Sequence, residues 1–187
     1  MTTLDFAEEE RGLRFQITDL AGQAVNGVAN QFFLVRRAII AVVWRILPLV
    51  SREGGGGAQG LVSEMVSKWL VAVQRRVPGA SILLVATHVD CATAEEVQRQ
   101  CDIIKATVAR KVKQYGGDEA ATGIPALTVW RGGDSVRVNC LDGTGRAELK
   151  KCLVEMAHSL PWWEEGIPRS ITLLKGRIEQ ARLQVGK

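Results

Sequence analysis

Three short segments of the sequence carry polar residues of the types that hold metal ions and polar ligands. In "DLAGQ", Asp19 is followed by Gly22 and Gln23. The other two segments are "THVD" at residues 87–90 and "NCL" at residues 139–141. Each segment ends an apolar run, and ligands of open α/β sheets bind beyond the carboxyl ends of the strands. The three segments are therefore expected to line one crevice.

The residues of "DLAGQ" suit phosphate chemistry. A carboxylate such as Asp19 at a strand end can hold Mg²⁺, usually through water, while the Gly22 N–H can reach a terminal phosphate without interference from a Cβ atom. Gln23 would orient the attacking water. The alternative is a plain turn, because Asp and Gly are common turn residues. Residues 142–145 also fit D-x-x-G, but only Asp19 closes an apolar strand and only Gly22 precedes a Gln.

The segment "THVD" places one carboxylate directly after a buried strand. Asp90 can accept hydrogen bonds from N1–H and N2–H of guanine, a donor pair that adenine lacks. A ligand that leaves such a buried group unpaired loses ~1–3 kcal/mol, so one Asp can carry much of the base choice. In the alternative interpretation Asp90 caps the next helix, although Thr93 fits that role better, and His88 is only a polar loop residue.

The third segment, Asn139-Cys140-Leu141, ends a short strand and precedes a glycine turn and a helix. Its backbone N–H groups can meet the guanine oxygen. The segment is unremarkable by itself. Three such segments in this order, each at a strand end, favour a nucleotide site.

The pattern between these segments predicts an α/β sandwich with a mostly parallel sheet. Alternating residues predict an antiparallel hairpin, and continuous apolar runs predict parallel strands covered by helices on both faces. Apolar stripes with a four-residue period, a Thr93–Glu96 capping box and glycine or proline stops predict helices. The expected strands are 4–8, 13–19, 38–44, 81–87 and 136–140, and the helices run from Leu61 to before Pro78, from Thr93 to before Gly116, and through 149–160.

Composition excludes several classes of protein. The chain has 187 residues, 47% of them hydrophobic and 24% charged, as in an ordinary soluble domain. The longest charge-free apolar core, 38–44, is far shorter than the ~20 residues of a membrane span. The chain begins without a signal-peptide pattern, so a cytoplasmic location is expected. The net charge of +4 is dispersed and not interleaved with aromatic residues, which disfavours nucleic acid as a partner.

Four cysteines, Cys91, Cys101, Cys140 and Cys152, match no zinc-binding spacing. A domain of this size in a reducing compartment does not need disulfides. They are therefore interpreted as small core residues.

These residues together resemble a Ras-like GTPase, and more narrowly the Roc (Ras of complex proteins) domain of Roco proteins and leucine-rich-repeat kinases. "DLAGQ" is similar to the switch II motif, "THVD" to the Roc form of Asn-Lys-x-Asp, and "NCLDGTG" to the last guanine loop. The resemblance implies a P-loop NTPase three-layer sandwich that binds GTP or GDP with Mg²⁺. It implies that Gln23 is catalytic, that Asp19 also holds Mg²⁺ through water, and that the nucleotide is bound by Asp19, Gly22, Thr87, His88, Asp90, Asn139, Cys140 and Leu141.

One part of the Ras-like pattern does not occur in the sequence, the phosphate loop G-x-x-x-x-G-K-[ST]. The first residues fall about where switch I lies in the family, with Thr2 or Thr3 at the place of its Mg²⁺-binding Thr. The first strand and the phosphate loop that follows it are thus expected to be missing. In the Ras-like strand order, the first strand lies in the sheet between the 13–19 and 38–44 strands. Nucleotide binding by these residues alone is then expected to be weak or absent. Truncation, a wrongly assigned start or true degeneration all produce this pattern.

Residues 1–160 are accordingly expected to form the Roc-like domain, and residues 161–187 to resemble the linker and first helix of a COR domain, with a COR-type domain or a second copy as partner. Pro168 suits the first turn of that helix, and Ile171, Leu174, Ile178 and Ala181 would line one face. The alternative is a last helix packed on the domain's own sheet. The expected function is GTP binding in a signalling protein, with hydrolysis dependent on an upstream phosphate loop. The alternatives are a nucleotide-free scaffold or dimerisation module and an unrelated flavodoxin-like or receiver-type domain.

Overall fold

Strands and helices alternate along most of the described chain. The structure is a computed structural model that describes residues 2–8, 13–20, 34, 37–48, 57–115 and 123–163 and a few helical positions between 173 and 181. The strands are β1 (Thr2–Glu8), β2 (Leu13–Asp19), β3 (Ile39–Arg45), β4 (Ser81–Thr87), β5 (Thr128–Val129) and β6 (Ser135–Val138). The helices are α1 (Gly57–Arg76), α2 (Ala94–Tyr115) and α3 (Arg146–Ser159).

The strands form two sheets. β1 and β2 form an antiparallel hairpin, as the alternating pattern predicts. β3, β4 and β6 are parallel and lie in that order, and the short β5 pairs with the first residues of β4 on the same side as β6. In the described residues no strand pairing joins the hairpin to the parallel sheet.

The parallel sheet is covered by helices on its two faces. Alternate residues of β3 and β4 pack with α1 and α2 in one core cluster, and the intervening residues of β4 pack with β6 and α3 in another. Five consecutive residues of β4, 82–86, are buried. The described chain thus has an α/β architecture with a parallel sheet, as predicted and as a P-loop-type sandwich requires.

β3 departs from the expectation that both faces of each parallel strand are covered. Val42 and Trp44 are buried beneath α1 and α2, whereas Ala41 and Val43 on the other face are exposed, Val43 by 55%. The reason is the position of α3, which covers β4 and β6 and, on β3, packs against Ile39. The apolar run of β3 therefore has one uncovered face.

The end of α1 and the start of α2 agree with the sequence signals, whereas α1 begins at Gly57, earlier than the predicted Leu61. α1 ends before Pro78, and α2 begins after Thr93, whose hydroxyl oxygen accepts a hydrogen bond from the Glu96 N–H at 3.4 Å. The Glu96 carboxylate contacts Arg99 and Gln100, so it is used within the helix.

Two expectations about particular residues were wrong, and one short strand was not predicted. The last strand ends at Val138, so Asn139 and Cys140 already lie in a turn. Cys101 and Cys152 are buried as predicted, but Cys140 is exposed and Cys91 is half-buried. β5 was not predicted and is only two residues long.

The segment after Leu160 bears on the two interpretations of the last helix. The described helical positions Leu173, Leu174 and Ile178 are exposed by 58%, 59% and 47%. The division into a Roc-like domain and a COR-like segment stays a prediction. The predicted roles of Pro168 and Ile171 fall outside the described residues.

Gly145 joins β6 to α3 at a point where no other residue fits. Its φ is +84°, and a Cβ atom there would lie 1.8 Å from the carbonyl oxygen of Arg137 and 3.2 Å from the Cα atom of Val138. Gly132 also has a positive φ, +65°, but a Cβ atom there would meet nothing within 4 Å. A substitution at Gly132 therefore introduces backbone strain alone, whereas one at Gly145 introduces both backbone strain and steric overlap.

We expect Gly145→Ala to destabilise the fold far more than Gly132→Ala. The Gly132 variant carries only the cost of a left-handed alanine, about 1–2 kcal/mol. The Gly145 variant adds a backbone overlap that only separation of α3 from β6 can relieve, for a total above about 3 kcal/mol. Urea unfolding monitored by circular dichroism measures both, and equal losses would contradict the close approach.

Candidate guanine-nucleotide site

The carboxyl ends of the three parallel strands lie side by side. Arg45, the last residue of β3, is paired with Thr87, the last residue of β4, and Thr87 is paired with Val138, the last residue of β6. The loops that follow β4 and β6 therefore start next to each other on one edge of the sheet. This brings together two of the three segments singled out in the sequence, 87–90 and 139–141.

The loop after β4, residues 87–91, is held by hydrogen bonds to β3 and to itself. The Ile46 N–H donates to the Thr87 carbonyl at 2.9 Å, and the Thr87 hydroxyl donates to the Trp44 carbonyl at 3.2 Å. His88 is in the left-handed region, with φ 58° and ψ 39°, and its carbonyl accepts from the Cys91 N–H at 3.0 Å. We call residues 87–91 the β4 loop.

Asp90 lies in the single 3₁₀ turn of the β4 loop and is exposed. Its Oδ2 atom is 4.0 Å from Sγ of Cys91. The helix cap is provided by Thr93, so the alternative in which Asp90 caps α2 does not apply. The Asp90 carboxylate is thus presented to solvent at the sheet edge.

The turn after β6, residues 139–145, is folded on itself. The Asn139 N–H donates to the Thr144 carbonyl at 2.9 Å, and the Gly143 N–H donates to the Asn139 carbonyl at 3.0 Å. Oδ1 of Asn139 accepts from the Leu141 N–H at 2.9 Å. We call residues 139–145 the β6 turn.

Some backbone N–H groups of the β6 turn already have a partner within the turn. The Leu141 N–H is already engaged by Asn139, while Cys140 is exposed. Asp142 accepts from the Thr144 N–H at 2.7 Å, and this bond holds the pKa of the Asp142 carboxyl below its ordinary value. The second D-x-x-G match therefore belongs to a self-contained turn.

Asp19 is placed in the hairpin rather than in the parallel sheet. It is the last residue of β2, is exposed and lies opposite Thr2 in the register of the hairpin. Phe15 of β2 packs near α3, and Leu20 packs against the core beneath α1 and α2. The predicted roles of Gly22 and Gln23 fall outside the described residues.

Gln100 is a buried residue that the sequence analysis missed. Its side chain, 5% exposed, accepts from the Leu47 N–H and donates to the Leu47 carbonyl, both at 2.9 Å. It also donates to Glu96 at 2.9 Å. Gln100 thereby fastens the chain after β3 to α2, beside the β4 loop. A polar residue within the apolar stripe of α2, three positions after Val97, was the signal that could have revealed it.

The described residues lack two features of other classes of protein. In that part of the chain, no three or more His, Cys, Asp or Glu side chains are grouped so as to hold a metal ion. Nor does any described helix have the length and apolar character needed to cross a membrane.

The chain is similar to several known proteins at low sequence identity. The chain is 24% identical to the probable serine/threonine-protein kinase pats1 of Dictyostelium discoideum over 173 residues, 92% of its length. It is 27% identical to leucine-rich repeat serine/threonine-protein kinase 1 of Mus musculus over 116 residues, 62% of its length. These two distant homologues are kinases of the Roco type.

A further relative is malignant fibrous histiocytoma-amplified sequence 1 of Homo sapiens, 31% identical over 107 residues, 57% of the chain. No family model matches the chain. The chain spans only 5% of pats1, 5% of the mouse kinase and 9% of the human protein. It therefore corresponds to a small region of much longer proteins.

We expect Gln100→Leu to destabilise the fold by about 2 kcal/mol, because both backbone polar groups of Leu47 lose their partner in a partly buried position. Gln114→Leu is the matched control. Gln114 is exposed on the same helix and bonds only the Lys111 side chain, so its loss should change stability by less than about 0.5 kcal/mol. Chemical unfolding of the native chain and the two variants checks this. Similar stability of all three would show that the Gln100–Leu47 hydrogen bonds do not stabilise the fold.

Proposed function

We propose that the chain is a guanine-nucleotide-binding region of a Roco-type signalling protein. The observation that carries the proposal is the adjacency of the β4 loop and the β6 turn at strand ends that are in register. The distant homology to Roco-type kinases supports it.

In this proposal the two loops divide the recognition of the base. The Asp90 carboxylate accepts the N1–H and N2–H of guanine. The guanine oxygen is met by the N–H of Cys140 rather than by that of Leu141, because Asn139 already engages the Leu141 donor. Thr87 and Asn139 act through hydrogen bonds that hold the loops, and do not themselves contact the base.

Mg²⁺ would be held by Asp19 through water. Asp19 is an exposed carboxylate at a strand end, and carboxylate oxygens are ligands that Mg²⁺ prefers. The ion would neutralise phosphate charge when bound. Gln23 stays the predicted residue for orienting water.

The phosphates need a further element, and the sheet has a place for one. Among the described strands β3 pairs only with β4, and Ala41 and Val43 on one face of β3 are exposed, while β2 belongs to a separate sheet. In this proposal an added strand with a following phosphate loop and helix would pair with the other edge of β3 and cover this face.

A nucleotide-free scaffold is the second candidate. It is favoured by the lack of any G-x-x-x-x-G-K-[ST] match in the 187 residues. The two candidates differ in whether the β4 loop discriminates between bases once a phosphate loop is present.

The test is nucleotide competition on a chain extended by a strand and a phosphate loop. We expect the extended protein to prefer GTP to ATP and XTP, and Asp90→Asn to shift the preference toward XTP, because the amide offers a donor where xanthine carries a carbonyl. The unextended chain should bind a fluorescent GTP analogue weakly or not at all.

Asp142→Asn is the matched control, since Asp142 is also an exposed carboxylate at this sheet edge but bonds within its own turn. It should leave base preference unchanged. Equal preference for GTP and XTP before and after Asp90→Asn would reject guanine reading and favour the scaffold.

The exposed face of β3 leads to a separate prediction about the stability of the chain. Unpaired strand edges and exposed apolar faces promote association, so the unextended chain should self-associate and unfold with poor cooperativity. Adding a peptide or an extension that carries the missing strand should raise the melting temperature and reduce light scattering. A monomer that unfolds sharply and reversibly without the addition would contradict the open site beside β3.

A further inference from the structure

The side chain of Thr87 has a fixed hydrogen-bonding role. Its hydroxyl oxygen lies 3.2 Å from the carbonyl oxygen of Trp44. A carbonyl oxygen only accepts hydrogen bonds, and a hydroxyl carries a single proton. Donation to Trp44 uses the one proton of the Thr87 hydroxyl, so in this arrangement its oxygen can serve any other neighbour only as an acceptor.

This commitment decides which nitrogen of His88 carries a proton. Nδ1 of His88 lies 3.1 Å from Oγ1 of Thr87. With the Thr87 proton donated to Trp44, Oγ1 has no second proton to give and Nδ1 is the donor of this bond. A neutral imidazole has one N–H, so Nε2 is left as an acceptor. In this arrangement the His88 ring donates to the Thr87 hydroxyl, which donates to the Trp44 carbonyl.

The backbone of His88 also depends on this arrangement. A positive φ of 58° is uncommon for a residue with a side chain and persists where neighbouring contacts enforce it. Here the Cys91 N–H holds the His88 carbonyl, and the ring bond holds the side chain. The exposed ring stands two residues before Asp90 in the same loop.

We propose that Thr87 is a positioning residue that fixes the His88 ring with Nδ1 protonated, so that Nε2 accepts a hydrogen bond from an N–H or O–H group of a ligand at the β4 loop. The ligand half rests on the proposed function, since a guanine nucleotide carries such donors on its base and ribose. A ligand that presents only acceptors at this point is disfavoured.

The tautomer is measured directly by long-range proton–nitrogen NMR of the ¹⁵N-labelled chain at a pH where imidazole rings are neutral. The chain has two histidines, and a His158→Gln variant assigns their signals. We expect His88 to be protonated on Nδ1, opposite to the preference of free histidine in water. Protonation on Nε2 in the native chain would overturn the proposal.

Three variants make the test specific to the Thr87 hydroxyl. Thr87→Val keeps the shape and removes the hydroxyl, so His88 should move to the Nε2-protonated form. Thr87→Ser restores the hydroxyl and should restore the native tautomer. Thr128→Val changes an exposed strand threonine away from the loop and should change nothing. A His88 tautomer that is the same in the Val and Ser variants would show that Thr87 does not set it.

The ligand half is tested by GTP titration of the same variants in the chain extended by a strand and a phosphate loop. Loss of one oriented hydrogen bond should weaken binding about three- to tenfold in Thr87→Val, with Thr87→Ser within about twofold of the native protein. A moved tautomer with unchanged affinity overturns the ligand half alone. No nucleotide binding in any variant overturns the ligand half together with the proposed function, and the NMR result still decides the role of Thr87.

Discussion

The burial of β4 on both faces is the constraint on which the candidate site depends. Residues 82–86 alternate between the core under α1 and α2 and the core over α3, so a shift of one residue along the strand would exchange the two sets. Registry with β3 and β6 then puts Thr87 level with Arg45 and Val138. The position of the β4 loop is a consequence of core packing several residues earlier in the chain.

The two loops at this edge are held in different ways. The β6 turn closes on itself through backbone and Asn139 hydrogen bonds, and Gly145 lets it sit against β6. The β4 loop is instead tied to β3 through Thr87, and the chain after β3 is tied to α2 through Gln100. Ordering both loops before a ligand arrives reduces the entropy lost on binding.

Most of the elements could be predicted from the sequence because their signals are local. The hairpin follows from alternation, β4 from a continuous apolar run, and the ends of α1 and α2 from Pro78 and Thr93. β5 could not be predicted, because two residues form no periodic pattern. The exposed face of β3 depends on which helix covers it, and this is decided by the path of the whole chain.

The site was predictable in its residue types but not in its hydrogen bonds. Asp90 and the 139–141 segment follow their strands as expected, yet the engagement of the Leu141 N–H by Asn139 is visible only once the turn is folded. The Gln100 contact joins residues 53 positions apart, a separation that no local pattern reports. The roles of Gly22 and Gln23 stay predictions.

In the described residues the hairpin is separate from the parallel sheet in its strand pairing. In the described residues the hairpin meets the rest of the chain through side chains such as Phe15 and Leu20, with no strand pairing between the sheets. Units joined in this way can open independently, each with its own free energy. Under the proposed function, Asp19 and Asp90 would therefore hold the two ends of a nucleotide from elements with different local stability.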